Sequence, residues 1–262
     1  MSEAVSLIPS ARIQGRIIGA LLRREILTRY GRHNIGFMWL FVEPMMFTSG
    51  VLLLRTALGL REGPVPIVGF ILSGYASVLM WRNTINRCGN ALTPNRALMH
   101  HRNVRVIDLF AARIILESVG ATMSFVILES LLTVTGFMKT PDDILKMLTG
   151  WLLLTWFSLD MALLIGSFAV LSESVERVWH VLGYLFLPLS GAFFMVEWLP
   201  SYAQHIVVWF PTVTCTELLR EGLFGSVIRT HYDILYVITV NTVLMLPALM
   251  ANRYVASRVE GE

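Results

Sequence analysis

Long apolar stretches separated by short polar segments dominate the hydrophobic pattern of the chain. A helix needs about 20 mostly apolar residues to cross the hydrocarbon core of a bilayer. Six stretches approach or exceed that length, and each predicts a transmembrane helix. Their expected bounds are about 36–56, 65–82, 107–137, 144–171, 178–197 and 232–252. The pattern therefore predicts an all-α polytopic membrane protein.

Three segments outside these stretches have a distinct character. Residues 11–30 contain no proline and place three arginines on one helical face, which is typical of an amphipathic helix on the cytoplasmic membrane surface. Residues 83–105 form a long basic loop. The segment 198–231 has an apolar middle that is too short to span, which predicts a re-entrant or surface helix pair between spans five and six. We therefore divide the chain into an interface helix, 1–34, and a transmembrane domain, 35–262.

Composition and charge support a membrane protein and orient it. The 262 residues are 55% hydrophobic and 15% charged, whereas soluble domains average about 25% charged residues. The two termini and the loops predicted on the same side of the membrane hold more than twice as many lysines and arginines as the loops predicted on the opposite side. Because positive residues concentrate in cytoplasmic loops, both termini are expected in the cytoplasm.

Motifs for nucleotide hydrolysis and for common hydrolytic enzymes are absent from the sequence. It contains no phosphate-binding G-x-x-x-x-G-K-[ST], no H-E-x-x-H and no G-x-S-x-G. Two cysteines are too few for a cysteine zinc site. We expect no catalytic residue, metal or cofactor in this chain, and no nucleic acid partner. Uphill transport would then draw its energy from a partner or an ion gradient.

Charged residues inside the spans are candidates for a translocation path, because a charge in the bilayer is costly and usually faces a bundle interior. Arg113 and Glu117 lie four residues apart on one helix face, as a self-neutralising pair or as polar lining of a path. Glu43 precedes Pro44, which kinks the helix, and acts as a packed polar group or as a gate. Asp160 is interpreted as a polar contact between helices.

Aromatic residues cluster at the start of the first span and at the outer end of the fifth. Such positions are typical of an interfacial aromatic belt. Flat aromatic rings also suit the apolar faces of sugars, so a surface on which sugar rings stack is the alternative. The predicted translocation path comprises Phe37, Trp39, Phe41, Glu43, Arg113, Glu117, Phe193 and Phe194.

Two runs near the N-terminus carry a family resemblance: L-R-R-E-I-L-T-R-Y-G-R at 22–32 and G-F-M-W-L-F-V-E-P at 36–44. They resemble the surface helix and first span of ABC-2-type permeases for capsular polysaccharide export, the KpsM family. Two later segments are also similar to the family. One holds the pairs I-D, A-R and L-E within 107–117, and the other holds W-F-P and E-L-L-R-E within 209–221. Phe210 departs from the asparagine that is frequent in the family.

The resemblance implies a fold and a set of partners. Two copies of the chain would form a transmembrane homodimer around a channel in the bacterial inner membrane. Two copies of a separate ATPase subunit would use ATP and Mg²⁺, and a polysaccharide co-polymerase would meet the permease in the periplasm. The substrate would be a lipid-linked acidic capsular polysaccharide. A permease for O-antigen, teichoic acid or another glycan is the near alternative, and a polytopic membrane glycosyltransferase is the distant one.

The resemblance also implies roles for particular segments. The loop 83–105 would receive the ATPase stroke, and the segment 198–231 would form short helices near the exit. The ATPase-coupling candidates are Asn90, Pro94, Asn95, Leu98, His101 and Arg102. Arg29 and Arg32 would attract an anionic polymer at the cytoplasmic mouth, together with Arg113. The periplasmic gate candidates are Trp198, Trp209, Glu217, Arg220 and Glu221.

Overall fold

The structure is a computed structural model that describes residues 7–30, 65–89, 91–92, 95 and 104–259, with scattered residues between 38 and 58. Within these ranges the regular structure is helical and contains no strand. The helices are α1 Leu7–Tyr30, α2 Ile67–Val78, α3 Thr84–Gly89, α4 Val106–Val134, α5 Ile144–Leu171, α6 Glu173–Leu185, α7 Ser201–Val207, α8 Pro211–Phe224 and α9 Ile234–Val259. A π-helical turn, Leu79–Asn83, joins α2 directly to α3.

Three of these helices, α4, α5 and α9, are long and apolar enough to cross a membrane. They correspond to the predicted spans 107–137, 144–171 and 232–252, and the bounds of α5 agree at both ends. Helix α2 and the π-helical turn cover most of the predicted span 65–82. Of the predicted first span, 36–56, the structure describes only scattered residues, and those are helical.

The region of the predicted fifth span, 178–197, differs from a continuous helix. Helix α6 ends at Leu185 and has 13 residues, so it is about 20 Å long, against about 30 Å of hydrocarbon. Pro188 then begins a 3-10 turn, and Gly191 takes a φ of 81°, which disfavours any residue with a Cβ. A second 3-10 turn follows at Val196–Trp198. The second half of the predicted span is therefore a folded turn.

Local sequence signals set several helix ends. Asp143 caps α5 because its side chain accepts a hydrogen bond from the backbone N–H of Lys146 at 3.1 Å. Asp108 in the first turn of α4 accepts from the N–H of Arg105 at 3.0 Å. Helix α8 starts with Pro211, a position where the missing N–H costs nothing.

Helix α5 is central to the packing and contacts α3, α6, α8 and α9. Glycines allow its backbone to touch that of α8. A Cβ on Gly150 would lie 2.7 Å from the backbone N of Leu219, and one on Gly222 would lie 2.3 Å from the backbone N of Met147. Small residues permit this close approach between membrane helices. Helix α8 is therefore held against the N-terminal half of α5 with no side chain between their backbones.

Candidate functional site

Three of the predicted gate residues meet in one group. We call Glu217, Arg220 and Glu221 of α8, with Lys146 of α5, the α8 cluster. The guanidinium of Arg220 is fully buried and donates at 2.8 Å to three backbone carbonyls, those of Gly191, Ala192 and Phe194. Its Nε donates to Ser73 Oγ at 3.3 Å, and its Cζ lies 4.0 Å from the centre of the Phe70 ring. Arg220 thus joins the turn after α6 to both α8 and α2.

Glu217 extends these contacts toward the start of α9. Its carboxylate lies 4.0 Å from Arg220 and accepts from the backbone N–H of Val196 at 3.4 Å and of His231 at 3.2 Å. Burial lowers the pKa of Arg220 to about 10, so the guanidinium stays charged at neutral pH. Burial also raises the pKa of Glu217, an effect that the charge of Arg220 and the two N–H donors oppose. The pair therefore fixes two separate backbone segments to α8.

Glu221 binds α8 to α5 through an ion pair. Its Oε1 lies 2.6 Å from the Nζ of Lys146, and its Oε2 accepts from the hydroxyl of Thr230. Burial favours a higher pKa for Glu221, but hydrogen bonds from Lys146, Thr230 and Tyr232 outweigh it and hold the pKa below its usual range. The carboxylate is therefore the ionised partner that connects Lys146 to the segment before α9.

The aromatic gate candidates lie around the α8 cluster and outside it. Trp198 is 54% exposed and its ring centre lies 5.1 Å from that of Phe70. Trp209 is 69% exposed and meets Tyr236 edge to face at 5.5 Å, while the Tyr236 hydroxyl donates to the Trp209 carbonyl at 2.6 Å. Of the two predicted path residues nearby, Phe193 is exposed and Phe194 is half-buried.

A second group of charges joins α1, α3 and α4, and we call Glu25, Arg87, Arg113 and Glu117 the α1 cluster. Arg113 lies 3.4 Å from Glu25 and donates to the backbone carbonyl of Arg87. The Arg87 side chain lies 3.9 Å from Glu117. The two residues expected to form a local pair, Arg113 and Glu117, are thus ion-paired with α1 and α3.

Polar contacts also dock the predicted interface helix, which the structure shows as α1. The Gln14 amide donates to Asp108, and Arg24 donates to the side-chain oxygen of Asn95. Asn95 is buried, and its own amide donates to the carbonyl of Ala91 at 2.8 Å. The coupling candidate Asn95 therefore contacts α1 directly.

Other predicted site residues lie outside the described part of the chain. These are Arg32, Phe37, Trp39, Phe41, Glu43, Asn90, Pro94, Leu98, His101 and Arg102, together with the side chain of Arg29. Their roles stay predictions. Among the described residues, no three His, Cys, Asp or Glu side chains form a group able to hold a metal ion, and the expectation of a metal-free chain also stays a prediction.

Two buried features differ from or add to the expectations from sequence. Asp160 is fully buried, and its oxygens accept no hydrogen bond from the described residues. The expected polar contact of Asp160 between helices therefore stays a prediction.

Ser73 and Gly74 of α2 were not predicted as site residues. A Cβ on Gly74 would lie 2.2 Å from the Ala192 carbonyl oxygen. A serine and a glycine in an apolar span were the only signal for this contact.

Comparison with known proteins gives relatives along almost the whole chain, although no protein-family model matches it. The capsule polysaccharide export inner-membrane protein CtrC of Neisseria meningitidis serogroup A is 42% identical over 245 residues, 93% of this chain and 92% of CtrC. The protein of the same description from Haemophilus influenzae, BexB, is 37% identical over 252 residues, 96% of this chain and 95% of BexB.

A more distant relative carries the name of the family that the sequence motifs resemble. The polysialic acid transport protein KpsM of Escherichia coli is 26% identical over 248 residues, 92% of this chain and 94% of KpsM. The resemblance found in the N-terminal motifs is thereby confirmed over the full length of the chain. This chain belongs to the family of capsule polysaccharide export inner-membrane proteins.

Proposed function

We propose that this chain is the permease subunit of an ATP-driven exporter that carries lipid-linked capsular polysaccharide from the cytoplasm to the periplasm. One observation carries the proposal: relatives named for capsule polysaccharide export match more than nine tenths of the chain at 37–42% identity. Three apolar helices long enough to span, α4, α5 and α9, support a membrane-embedded role.

The proposed subunit has six spans with both termini in the cytoplasm, and two copies enclose the channel. The distribution of lysine and arginine supports this orientation. The chain has no phosphate-binding loop, so a separate ATPase, present in two copies, supplies the energy from ATP and Mg²⁺. Contacts of α1 support coupling at this end, because the α1 cluster connects the interface helix to α3 and Arg24 connects it to Asn95 of the loop that follows α3.

The helix pair α7 and α8 forms the periplasmic gate in this proposal. Two short helices between α6 and α9 support a re-entrant arrangement, since neither is long enough to span. Because the α8 cluster fixes α8 to α5 and to the turn after α6, the gate would move together with α5. A periplasmic polysaccharide co-polymerase receives the polymer at this end.

The test is deletion of the gene in its host, followed by staining for the surface polymer and for polymer inside the cell. Export predicts a bare surface with polymer accumulated in the cytoplasm, and restoration of the coat by the wild-type gene on a plasmid. Loss of polymer everywhere would favour the glycosyltransferase alternative. A normal capsule with a missing O-antigen or teichoic acid would assign the permease to that glycan.

Partnership with an ATPase has its own test. The full-length chain, purified with the ATPase subunit encoded in the same host, should yield a complex of two copies each with ATP hydrolysis that depends on Mg²⁺. An ATPase variant unable to hydrolyse ATP should produce the same intracellular polymer as the permease deletion. Normal export with that variant would contradict ATP-driven transport.

A further inference from the structure

An open groove of about 440 Å³ lies between the end of α7 and the start of α9, within the range of small-molecule sites, ~300–1,000 Å³. We call it the Trp209 groove. Two aromatic residues, Trp209 and Tyr236, form one wall, and polar residues of the segment 230–233 form the floor. The rings are nearly perpendicular, with an angle of 89° between their planes. The groove thus combines flat apolar surface with nearby hydrogen-bonding groups.

The floor of the groove is held in place by the α8 cluster. Glu217 accepts from the backbone N–H of His231, and Glu221 accepts from the hydroxyl of Thr230. The wall is fixed too, because the Tyr236 hydroxyl donates to the carbonyl of Trp209. Buried and paired acids therefore set the geometry of an exposed surface, as expected for a site built on rigid elements.

The charged groups at the groove are acidic or paired with an acid. Asp233 is exposed, and one of its oxygens accepts from the N–H of Tyr236 at 3.0 Å. A carboxylate has about four lone-pair positions, so Asp233 retains acceptor capacity for a ligand hydroxyl. The Nε2 of His231 lies 2.8 Å from Glu197. The Asp233 carboxylate in the lining favours a ligand rich in hydroxyl groups and disfavours a ligand that carries a carboxylate of its own.

We propose that the Trp209 groove binds one neutral pyranose ring of the polysaccharide in transit. The apolar face of the ring would stack on Trp209, and Asp233 would accept hydrogen bonds from its hydroxyl groups. This inference rests on the proposed function and names a contact for the same substrate. A tryptophan that serves only as a membrane-interface anchor needs no polar groups around it, whereas Thr230, His231 and Asp233 line the same groove as Trp209.

The groove is tested in cells with a reporter that leaves both aromatic residues in place. Val208 lines the groove, so Val208→Cys is labelled there with a membrane-impermeant maleimide, while the native Cys88 and Cys215 are buried. Labelling should fall several-fold when the host makes its polymer, compared with a host that makes none. The fall should disappear with Trp209→Ala and persist with Trp209→Phe, which keeps a ring. Tyr202→Cys on α7, exposed to 73%, is the control, and its labelling should not change.

Two outcomes of that experiment overturn the proposal. Equal labelling of Val208→Cys with and without polymer shows that the groove is empty during export. Protection that persists in Trp209→Ala, in a variant that folds and reaches the membrane, shows that the indole is not the contact. The gene deletion tests export without reference to the groove, so export can be established while the groove proposal fails.

Ring chemistry is tested with the purified full chain in nanodiscs free of sugar detergents. Saturation-transfer NMR with neutral cellotriose should give a signal that is at least threefold weaker in Trp209→Ala. Acidic trigalacturonate should give a weaker signal than cellotriose. In Asp233→Asn the signals of the two sugars should be closer to each other than in the wild type. Binding of neither probe, or a preference for trigalacturonate, contradicts a site for a neutral ring.

Discussion

The α8 cluster and the α1 cluster use the same residue types in opposite ways. In the α8 cluster, Arg220 and Glu217 are 0% and 1% exposed, and the guanidinium donates to three backbone carbonyls. In the α1 cluster, Arg87 is 57% exposed and pairs at 3.9 Å with Glu117, which is buried, whereas Arg113 and Glu25 are 12% and 26% exposed. The first group binds mainly backbone segments within one region, whereas the second joins three separate helices mainly through pairs of side chains.

This difference separates a fully buried group of charges from a partly exposed one. Removing one partner of a buried pair costs about 3–5 kcal/mol, because the remaining charge stays buried. Exposed pairs contribute about 0–1 kcal/mol. The α8 cluster therefore maintains the fold near the proposed gate. The α1 cluster, in which only Arg87 is largely exposed, should contribute less to stability than the α8 cluster and more than a surface pair.

The largest effect is expected for Arg220. Arg220→Met leaves three carbonyls without their donor and the buried Glu217 without its cationic partner, so we expect a loss of about 3–5 kcal/mol of stability and little folded protein. Arg220→Lys should fail as well, because one ammonium cannot reproduce the planar set of donors. Size-exclusion profiles and thermal melts of the detergent-purified chain measure this loss.

Arg229→Met is the matched control for that prediction, because Arg229 lies on an exposed surface of the same region. It should change the melting temperature little. Normal melting of Arg220→Met would show that the buried guanidinium is not needed for the turn after α6, and the contrast between the two clusters would be lost.

A smaller effect is expected where α2 touches the same turn. A Cβ on Gly74 would lie 2.2 Å from the Ala192 carbonyl oxygen and 3.0 Å from the Arg220 guanidinium, so Gly74→Ala should cost about 1–3 kcal/mol through forced backbone shifts. In α6, a Cβ on Gly183 would contact nothing within 4 Å. Gly183→Ala should be neutral or slightly stabilising. Thermal melts of Gly74→Ala and Gly183→Ala test this difference. Equal destabilisation of the two variants would contradict the close contact between Gly74 and the carbonyl of Ala192.

The α1 cluster should affect export, and it should affect stability less than the α8 cluster does. Glu25→Arg or Arg113→Glu places like charges at a mostly buried 3.4 Å contact, and we expect reduced export with a stability loss of about 1–3 kcal/mol, between the values for exposed and buried pairs. The double exchange should recover part of the export. Exchange of Glu173 and Arg177, an exposed pair at 3.2 Å within α6, is the control and should leave export unchanged. Surface polymer staining is the measurement.

Recovery in the double exchange also separates two roles for Arg113. If its positive charge attracts an anionic polymer, Arg113→Glu should stay defective whatever residue occupies position 25. If it acts through the pair, restoring the opposite charge at position 25 restores export. Full export in Arg113→Glu alone would contradict both roles.

The smallest effect concerns the pH dependence of Glu221. Its pKa is lower in the folded chain than the unfolded value of ~4.3. Its stabilisation is therefore present above that unfolded value and is lost as the pH falls through the folded pKa. Because the pair with Lys146 is partly exposed, the expected contribution is about 1 kcal/mol or less. Melts between pH 7 and pH 3 should show a smaller acid-induced loss in Glu221→Gln than in the wild type, and identical curves would contradict the pairing.

Local signals in the sequence predicted much of the fold and less of the site. The length of the apolar stretches located α4, α5 and α9, and the predicted bounds of α5 agree with the structure at both ends. The turn after α6 was taken as membrane helix because its residues are apolar. Its fold depends on Gly191, where a Cβ would lie 3.0 Å from the Cα of Val213, a contact made only in the folded chain.

The site residues show the same limit. A spacing of four residues predicts that Arg113 and Glu117 share a helix face, but it does not reveal Glu25, a partner 88 positions away in the chain. Glu217, Arg220 and Glu221 were selected through the family motif, which does not show that Arg220 binds the carbonyls of residues 191, 192 and 194. Which residues pair across long distances in the chain depends on the topology of the fold, and the helical periodicity of the sequence does not encode that topology.

The glycines of α5 allow close contacts with neighbouring segments near both ends of this helix. Near its C-terminal end, a Cβ on Gly166 would lie 2.8 Å from the Phe110 ring and 3.2 Å from the carbonyl oxygen of Cys88. Near its N-terminal end, Gly150 meets the backbone of α8 as closely. The two contacts are about 24 Å apart along the axis, at ~1.5 Å per residue. Because the contacts are this close near both ends, a displacement of α5 beside α3 should also displace α8, so one helix would couple the two regions mechanically.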